Sequence, residues 1–246
     1  MPIPTLAYGD SITADTTEGY AYDWCGARTS PELDCIPRGV NGERTAPGVA
    51  RYLADLEADL VDAEYVVFAW GANDIRSPSA WDPAGAMLDP LESAVVATLD
   101  AGMTPVLWVP TPQYLTIGAP EDPYELANDR IEFELRPALE EMSNDYGIPI
   151  ADQFGAIEAF GAEADMLYRD HVHFNGAGSE VLAATVLPES SLALGIAIGF
   201  TLLAYVFNAI ARGTRKGAAY SRGPERTLAT WELEQFAERL GAERSP

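Results

Sequence analysis

The chain has 246 residues, 48% of them apolar, which is enough for one sizeable hydrophobic core and an additional segment. Its net charge of −23 arises in residues 1–190, because residues 191–246 carry seven Arg or Lys against five Glu. An acidic surface of this size repels phosphate backbones, which excludes DNA and RNA as partners. The two cysteines and two histidines lack the spacing of metal ligands, so we expect no metal and no cofactor.

The first predicted strand is the apolar run Thr5-Leu6-Ala7-Tyr8, which Gly9 ends. Ser11 follows on a turn at the carboxyl end of this strand, where open α/β sheets bind ligands. A serine in that position is a candidate nucleophile if a base can reach it, and otherwise a helix cap. The neighbouring Asp10 is expected to accept structural hydrogen bonds rather than to act as a catalyst.

Cys25 and Cys35 lie ten residues apart in a loop-like stretch. They either close a small disulfide loop, which indicates an oxidising compartment, or remain two unpaired thiols, and the sequence leaves both readings open. Residues 19–28 are rich in aromatic side chains and predict a helix. Residues 29–36 predict a loop that leads into a short second strand.

The middle of the chain alternates between predicted strands and helices. A glycine-rich turn around Gly42 precedes a helix with Thr45 as its cap. Residues 65–70 form an apolar run without alternation, as a central parallel strand requires. Each of two predicted helices has apolar residues at helical spacing that are expected to face the core. They are Val49, Leu53, Leu56 and Leu60 in the first helix, and Leu91, Val95 and Leu99 in the helix that begins at Asp89.

The later elements continue this alternation. They are a strand at 105–109, a long loop at 110–123, a helix at 124–146 that Pro137 breaks or kinks, a strand at 148–150 and a helix at 176–187. Strands that alternate with helices predict an α/β protein with a parallel sheet. Right-handed crossovers then make a three-layer α/β/α sandwich the expected architecture.

Acyl transfer by a serine needs a base, a group that orients the base, and donors for the oxyanion. His171 and His173 are the two imidazoles of the chain, and Asp170 lies three residues before His173. A single loop can therefore place the Asp170 carboxylate at one nitrogen of His173. The other nitrogen is then available to Ser11. The candidate oxyanion donors each follow a predicted strand, and they are the backbone N–H of Ser11, that of Gly42, and the amide of Asn73.

Four segments of the chain together resemble the SGNH, or GDSL, hydrolase family. They are Gly9-Asp10-Ser11, Gly42 in Asn41-Gly42-Glu43, Gly71-Ala72-Asn73-Asp74, and Asp170-x-x-His173, in the order of the family and within residues 4–187. The resemblance implies a flavodoxin-like sheet and a serine esterase or lipase that uses no metal. It implies Ser11 as nucleophile, His173 as base and Asp170 as its orienter, with Ser11, Gly42 and Asn73 as the oxyanion hole. His171 has no place in the pattern and is expected beside the site, and Asp74 is expected to be a helix cap or turn residue.

The resemblance predicts hydrolysis of carboxylic esters, with a small-molecule, lipid or carbohydrate ester as substrate. One alternative is an acyltransferase or acetyltransferase that uses the same site and passes the acyl group to a carbohydrate. Another is a non-catalytic surface binding module, which has no need for Asp170 and His173 at this spacing.

Residues 192–210 form a run without charge that is long enough to cross a bilayer. A basic cluster follows it, so the positive-inside rule predicts an outside catalytic domain. Residues 188–191, the apolar run and the basic cluster resemble a PEP-CTERM sorting signal. The alternatives are a helix buried in the globular domain and, because no signal peptide is visible at the amino end, a cytoplasmic domain.

These features divide the chain into three predicted parts. Residues 1–188 are the hydrolase domain, 189–216 a transmembrane helix with its basic flank, and 217–246 a polar tail. Residues 227–240 of the tail fit an amphipathic helix on the membrane surface or a solvated segment.

Overall fold

A five-stranded parallel sheet forms the centre of the protein. The computed structural model describes residues 3–14, 24–25, 33–76, 83–113, 125–160, 164, 167–170 and 172–186. The strands are β1 (Ile3–Gly9), β2 (Leu33–Gly39), β3 (Tyr65–Ala69), β4 (Thr104–Val109) and β5 (Ile150–Asp152). Their order is β2-β1-β3-β4-β5, and every neighbouring pair is parallel. This is the strand order of flavodoxin-like sheets, so the predicted parallel α/β class is confirmed.

Helices connect the strands. They are α1 (Thr45–Glu57), α2 (Ala72–Ile75), α3 (Asp89–Asp100), α4 (Glu125–Arg130), α5 (Arg136–Tyr146), α6 (Gln153–Glu158) and α7 (Gly176–Thr185). A π-helical turn precedes α3 at Ala84–Leu88, and another joins α4 to α5 at Ile131–Leu135. Pro137 follows the second π-helical turn, in the first turn of α5, and the chain stays helical from 125 to 146. The predicted break or kink is therefore a local π-helical turn rather than an end of the helix.

Both faces of the sheet are buried. On one face, alternate strand residues belong to the same core cluster as residues of α1, α3 and α5, and they include Leu6, Tyr8, Val66, Phe68, Leu107 and Val109. The residues between them point to the other face and are buried as well, among them Ala7, Val67, Val106, Trp108 and Ala151. Burial on both faces is what the predicted three-layer arrangement requires, and it explains why the strands are continuous apolar runs.

Some predicted boundaries are wrong. β2 begins at Leu33, inside the predicted loop, because it pairs with β1 along its whole length. The last strand is Ile150–Asp152 rather than 148–150, since its register follows β4. Leu60 and Leu99, predicted to face the core, are 56% and 38% exposed because both lie at or beyond the end of a helix.

The sequence predicted that Thr45 caps α1, and this prediction is wrong. It is the first residue of the helix, and its backbone N–H and its hydroxyl both donate to Oδ2 of Asp74, at 3.0 and 2.9 Å. Asp74 lies in the neighbouring helix α2 and accepts a hydrogen bond from an amino-terminal N–H of α1. It therefore caps α1 and not the helix to which it belongs.

Other predictions lie outside the described residues. They are the helix at 19–28, most of the loop at 110–123, His171, the span at 192–210 and the amphipathic helix at 227–240. Among the helices that the structure describes, none combines the length and the apolar character needed to cross a bilayer.

Candidate active site

The turn after β1 carries the predicted nucleophile. The N–H of Thr13 donates to the carbonyl of Asp10 at 3.1 Å, which closes a tight turn around Ser11. A Cβ atom on Gly9 would overlap the Thr13 side chain, so this close approach requires glycine. Ser11 is half-buried, and its hydroxyl lies within hydrogen-bond distance of His173.

A second loop carries the predicted base and its orienting carboxylate. An antiparallel bridge between Tyr168 and Phe174 closes this loop, and the two rings lie 4.2 Å apart between centroids. The Tyr168 hydroxyl donates to the carbonyl of Pro112 at 2.5 Å, which fixes the loop to the segment after β4. Asp170 and His173 lie within the closed loop, so their relative position is set locally.

Ser11, His173 and Asp170 form a hydrogen-bonded series. The Nε2 atom of His173 lies 2.9 Å from Oγ of Ser11. Its Nδ1 atom lies 2.8 Å from Oδ2 and 3.0 Å from Oδ1 of Asp170. Because an ionised carboxylate can only accept, Nδ1 carries the hydrogen and Nε2 faces the serine as an acceptor. The predicted contacts between these three side chains are present in the structure.

The Asp170 carboxyl is held in its ionised form. Burial opposes ionisation, but hydrogen bonds from the backbone N–H groups of His173 and Val172 and from the imidazole outweigh it. Together they lower the pKa of Asp170 to about 2. The two backbone bonds measure 2.8 and 2.9 Å and both end on Oδ1. The carboxylate therefore remains charged near neutrality and can stabilise a protonated imidazole.

The side chain of Asn73 lies between the turn after β1 and the loop after β2. Its Nδ2 atom donates to Oδ2 of Asp10 and to the carbonyl of Glu43, at 3.1 Å each. Gly42 precedes Glu43 in a turn that the Glu43 N–H closes onto Val40 at 3.1 Å, and its φ of 72° favours glycine. The segments that carry the three predicted oxyanion donors therefore meet at one edge of the sheet.

Glu43 supports this arrangement, although sequence reasoning assigned it no role. Its carboxylate accepts two hydrogen bonds from Arg51, at 2.9 and 2.6 Å, and one from the indole of Trp70 at 2.9 Å. These bonds fix the loop after β2 to α1 and to the end of β3. A Glu and an Arg on either side of a helix start are the only sequence signal for this contact.

The two cysteines form a disulfide, which decides between the readings that the sequence left open. Cys25 and Cys35 are bonded, so the segment with Trp24 is linked to β2. Trp24 packs against Trp108 with 5.0 Å between ring centroids, and its indole N–H donates to the Thr13 hydroxyl at 3.2 Å. The disulfide therefore fixes a residue that contacts the nucleophile turn.

Asp10 is the most deeply buried carboxyl in the site, with 1% of its surface exposed. Burial raises its pKa to about 7, and the charges of Asp74 and Glu43 add to this effect. The Ile12 N–H, which donates to Oδ1 at 2.9 Å, and the charge of Arg76 act in the opposite direction. The prediction that Asp10 accepts structural hydrogen bonds is confirmed.

The raised pKa of Asp10 makes stability dependent on pH. Between its ordinary pKa of 3.8 and the folded value of about 7, the folded protein keeps a proton that the unfolded chain has lost. The contribution of Asp10 to the free energy of unfolding is therefore present below pH 4 and is lost as the pH rises through 7. Replacing Asp10 with asparagine removes this term. We expect the stability of the variant, relative to the wild type, to increase by roughly 3 kcal/mol between pH 4.5 and 7.5.

Urea unfolding of both proteins at the two pH values measures this change. An equal difference at pH 4.5 and 7.5 would show that Asp10 does not titrate in this range.

Within the described part of the chain, no group of three or more His, Cys, Asp or Glu side chains is arranged to hold a metal ion.

The fold and the hydrogen-bonded series place this protein among α/β proteins with a serine, histidine and aspartate at the carboxyl edge of a parallel sheet. Its sequence matches the GDSL-like lipase/acylhydrolase family over residues 7–181. The chain therefore belongs to this family, as the four segments had indicated. No protein of curated function matches the sequence closely.

Solved structures of esterases and lipases share the fold. The acetyl xylan esterase AlAXEase is 16% identical, with a TM-score of 0.56 over 73% of this chain and 95% of its own. A lipase/acylhydrolase from Enterococcus faecalis is 22% identical, with a TM-score of 0.54 over 75% and 93%. An acetyl xylan esterase variant from Geobacillus stearothermophilus is 20% identical, with a TM-score of 0.54 over 77% and 94%. At these identities the likeness establishes the fold alone.

Proposed function

We propose that the protein is a serine esterase that hydrolyses carboxylic esters, with Ser11 as nucleophile, His173 as general base and Asp170 as the group that orients it. The observation that carries this proposal is the series from Oγ of Ser11 to the Asp170 carboxylate, with 2.9 and 2.8 Å between successive partners. Membership of an acylhydrolase family supports the same reaction class.

The proposed reaction has two half-reactions. Oγ of Ser11 attacks the ester carbonyl carbon while Nε2 of His173 takes the serine proton, and the ionised Asp170 stabilises the imidazolium that results. The tetrahedral intermediate collapses, the C–O bond to the alcohol breaks, and the imidazolium returns the proton to the departing alkoxide. Water then attacks the acyl-enzyme with the same base, which releases the acid and restores the serine.

The proposed oxyanion donors are the backbone N–H groups of Ser11 and Gly42 and the amide of Asn73. Such donors act where water is excluded and negative charge develops, and losing one commonly costs 10²–10³ in kcat. The hydrogen bonds of Asn73 to segments after β1 and β2 support this role, because they hold the amide in one orientation.

The substrate class that we propose is an acetyl or short acyl ester of a carbohydrate or other small alcohol. The two acetyl xylan esterases of the same fold favour a carbohydrate ester, and lipid esters remain an alternative that the lipase of the same fold represents. A strongly acidic surface disfavours polyanionic substrates, since like charges repel.

A panel of p-nitrophenyl esters, from acetate to long chains, tests the function with the full-length protein. Hydrolysis that decreases with chain length supports the proposed class, and a preference for long chains supports a lipase. Product analysis with and without a sugar acceptor separates hydrolysis from acyl transfer. Absence of turnover on every ester, in a folded sample, would contradict the proposal.

We also propose that residues 192–210 attach the protein to a membrane, with the catalytic domain outside the cytoplasm. The support is the uncharged run followed by basic residues, because an exposed apolar segment of this length is rarely tolerated in water. The full-length chain is expected to sediment with membranes, whereas a chain of residues 1–188 is expected to stay in solution and remain active.

Ultracentrifugation of both forms measures this partition. External protease on intact cells then tests the orientation, since a domain inside the cytoplasm is protected. Full-length protein that stays monomeric without detergent would assign the segment to the globular fold.

A further inference from the structure

Both N–H groups of the Asn73 amide already have acceptors. A carboxamide has two donors on one nitrogen, and Nδ2 of Asn73 donates to Oδ2 of Asp10 and to the carbonyl of Glu43. The backbone carbonyl of Glu43 can only accept, so the amide oxygen cannot take the place of the nitrogen, and the orientation of the amide is fixed. An oxyanion bound by Asn73 must therefore share one of these two hydrogens.

The two acceptors of Asn73 differ in chemistry. Glu43 supplies a backbone carbonyl, which no substitution removes. Asp10 supplies a carboxylate oxygen, and the second oxygen of the same carboxylate accepts the N–H of Ile12 at 2.9 Å. Ile12 directly follows Ser11, so one buried side chain links the nucleophile turn to the Asn73 amide.

We infer that Asp10 is a positioning residue for the reaction, which acts through Asn73 by holding its amide toward the oxyanion that forms at Ser11. This role rests on the proposed function. It goes beyond the structural hydrogen bonds of Asp10, because it predicts that Asp10 matters for turnover only while Asn73 is present.

Ionisation of Asp10 is part of this role. An ionised carboxylate offers both oxygens as acceptors, whereas a proton on one oxygen turns it into a donor that opposes the N–H of Asn73 or Ile12. The charged groups that act on Asp10 are Asp74 in α2, Arg76 directly after α2, and Glu43 in the loop after β2. Burial raises the pKa of Asp10 to about 7. One of its two acceptor oxygens is therefore lost as the pH falls through 7, within the range of ordinary assays.

A double-mutant cycle tests the inference. Asp10→Asn, Asn73→Ala and the double variant are compared with the wild type by kcat and KM on the ester that the wild type hydrolyses fastest. Asn73→Ala is expected to lower kcat about 10²-fold or more. Asp10→Asn is expected to lower kcat about tenfold or more with KM little changed, and the double variant is expected to match Asn73→Ala. Independent effects that multiply would overturn the inference.

Asp74→Asn is the matched control. Asp74 is also a buried carboxyl with a raised pKa, but its oxygen accepts from Thr45 rather than from Asn73. Its effect on kcat is expected to multiply with that of Asn73→Ala. The same non-additivity for Asp74 as for Asp10 would show a general loosening of the sheet edge, which overturns the role of Asp10.

The pH profile gives a second readout that a merely structural role does not change. Activity requires a neutral imidazole and, by this inference, an ionised Asp10. The acid limb of log(kcat/KM) is therefore expected to be steeper in the wild type than in Asp10→Asn, over the pH range in which Asp10 is protonated. Equal slopes would overturn the inference.

The Ser11→Ala variant distinguishes a failure of the proposed function from a failure of the role of Asp10. A Ser11→Ala protein that keeps its activity overturns the proposed function. A multiplicative cycle in an enzyme that Ser11→Ala inactivates overturns only the role of Asp10. Circular dichroism and Tm on every variant establish that folded proteins are compared, and Asp10→Ala replaces Asp10→Asn if the latter does not fold.

Discussion

Replacing Ser11 with alanine is expected to lower kcat for ester hydrolysis by at least about 10⁴-fold, the loss usual when the nucleophile of such a series is removed. The physical reason is that the Ser11 hydroxyl, 2.9 Å from Nε2 of His173, is the oxygen that this imidazole is placed to deprotonate. The fold is expected to survive. One partly buried hydrogen bond contributes about 1 kcal/mol, which corresponds to a Tm change of a few degrees, on the order of 2–4 °C.

Discontinuous assays, corrected for the hydrolysis that occurs without enzyme, measure the loss. Ser93→Ala is the matched control. Ser93 is an exposed serine of α3 whose hydroxyl donates to the carbonyl of Asp89 in the same helix, at 3.0 Å. That variant is expected to keep wild-type activity. Residual turnover above about one per cent in Ser11→Ala, where nucleophile loss leaves far less, would rule out Ser11 as the nucleophile.

The sequence predicted the site better than the contacts that support it. Ser11, Asn73 and the loop of Asp170 and His173 were placed at one sheet edge because each follows a strand or returns to that edge in an alternating α/β chain. Parallel strands share a carboxyl edge, so this step needs only the order of elements. The four segments then specified which side chains to expect there.

The supporting contacts depend on distances that the order of elements does not determine. Asp74 and Thr45 are 29 residues apart, and their hydrogen bonds exist because α2 and the start of α1 lie side by side at the sheet edge. Glu43 and Trp70 meet for the same reason. A residue such as Glu43 reads as an ordinary surface charge until its neighbours are known, which is why sequence reasoning missed it.

Helix periodicity gave the correct face of α1 only in part. Val49 is buried as predicted, but Tyr52, which the prediction omitted, is fully buried and its hydroxyl lies 2.6 Å from that of Thr98. A tyrosine can be buried when its polar end finds a partner, and that partner lies on α3 rather than on α1. Apolar spacing alone therefore selected Leu60 beyond the helix end in place of Tyr52.

Replacing His173 with alanine is expected to remove ester hydrolysis almost as completely as the loss of Ser11, by about 10⁴-fold or more, because residues of one series act as a unit. The serine hydroxyl then loses the imidazole that lies 2.9 Å from it, and Asp170 loses the ring that it orients. KM is expected to change little, since the base contributes to the transition state more than to binding. Measured kcat and KM for the variant test this split.

His171→Ala is the matched control, because it removes the same side chain two positions away. The choice between the two histidines rests on geometry: Asp170 accepts from the backbone N–H of His173 as well as from its ring, so the loop that closes at Tyr168 and Phe174 directs this imidazole toward Ser11. His171→Ala is therefore expected to keep most of the activity. Equal losses in the two variants would mean that the reaction depends on both imidazoles, and the assignment of His173 as the single base would be wrong.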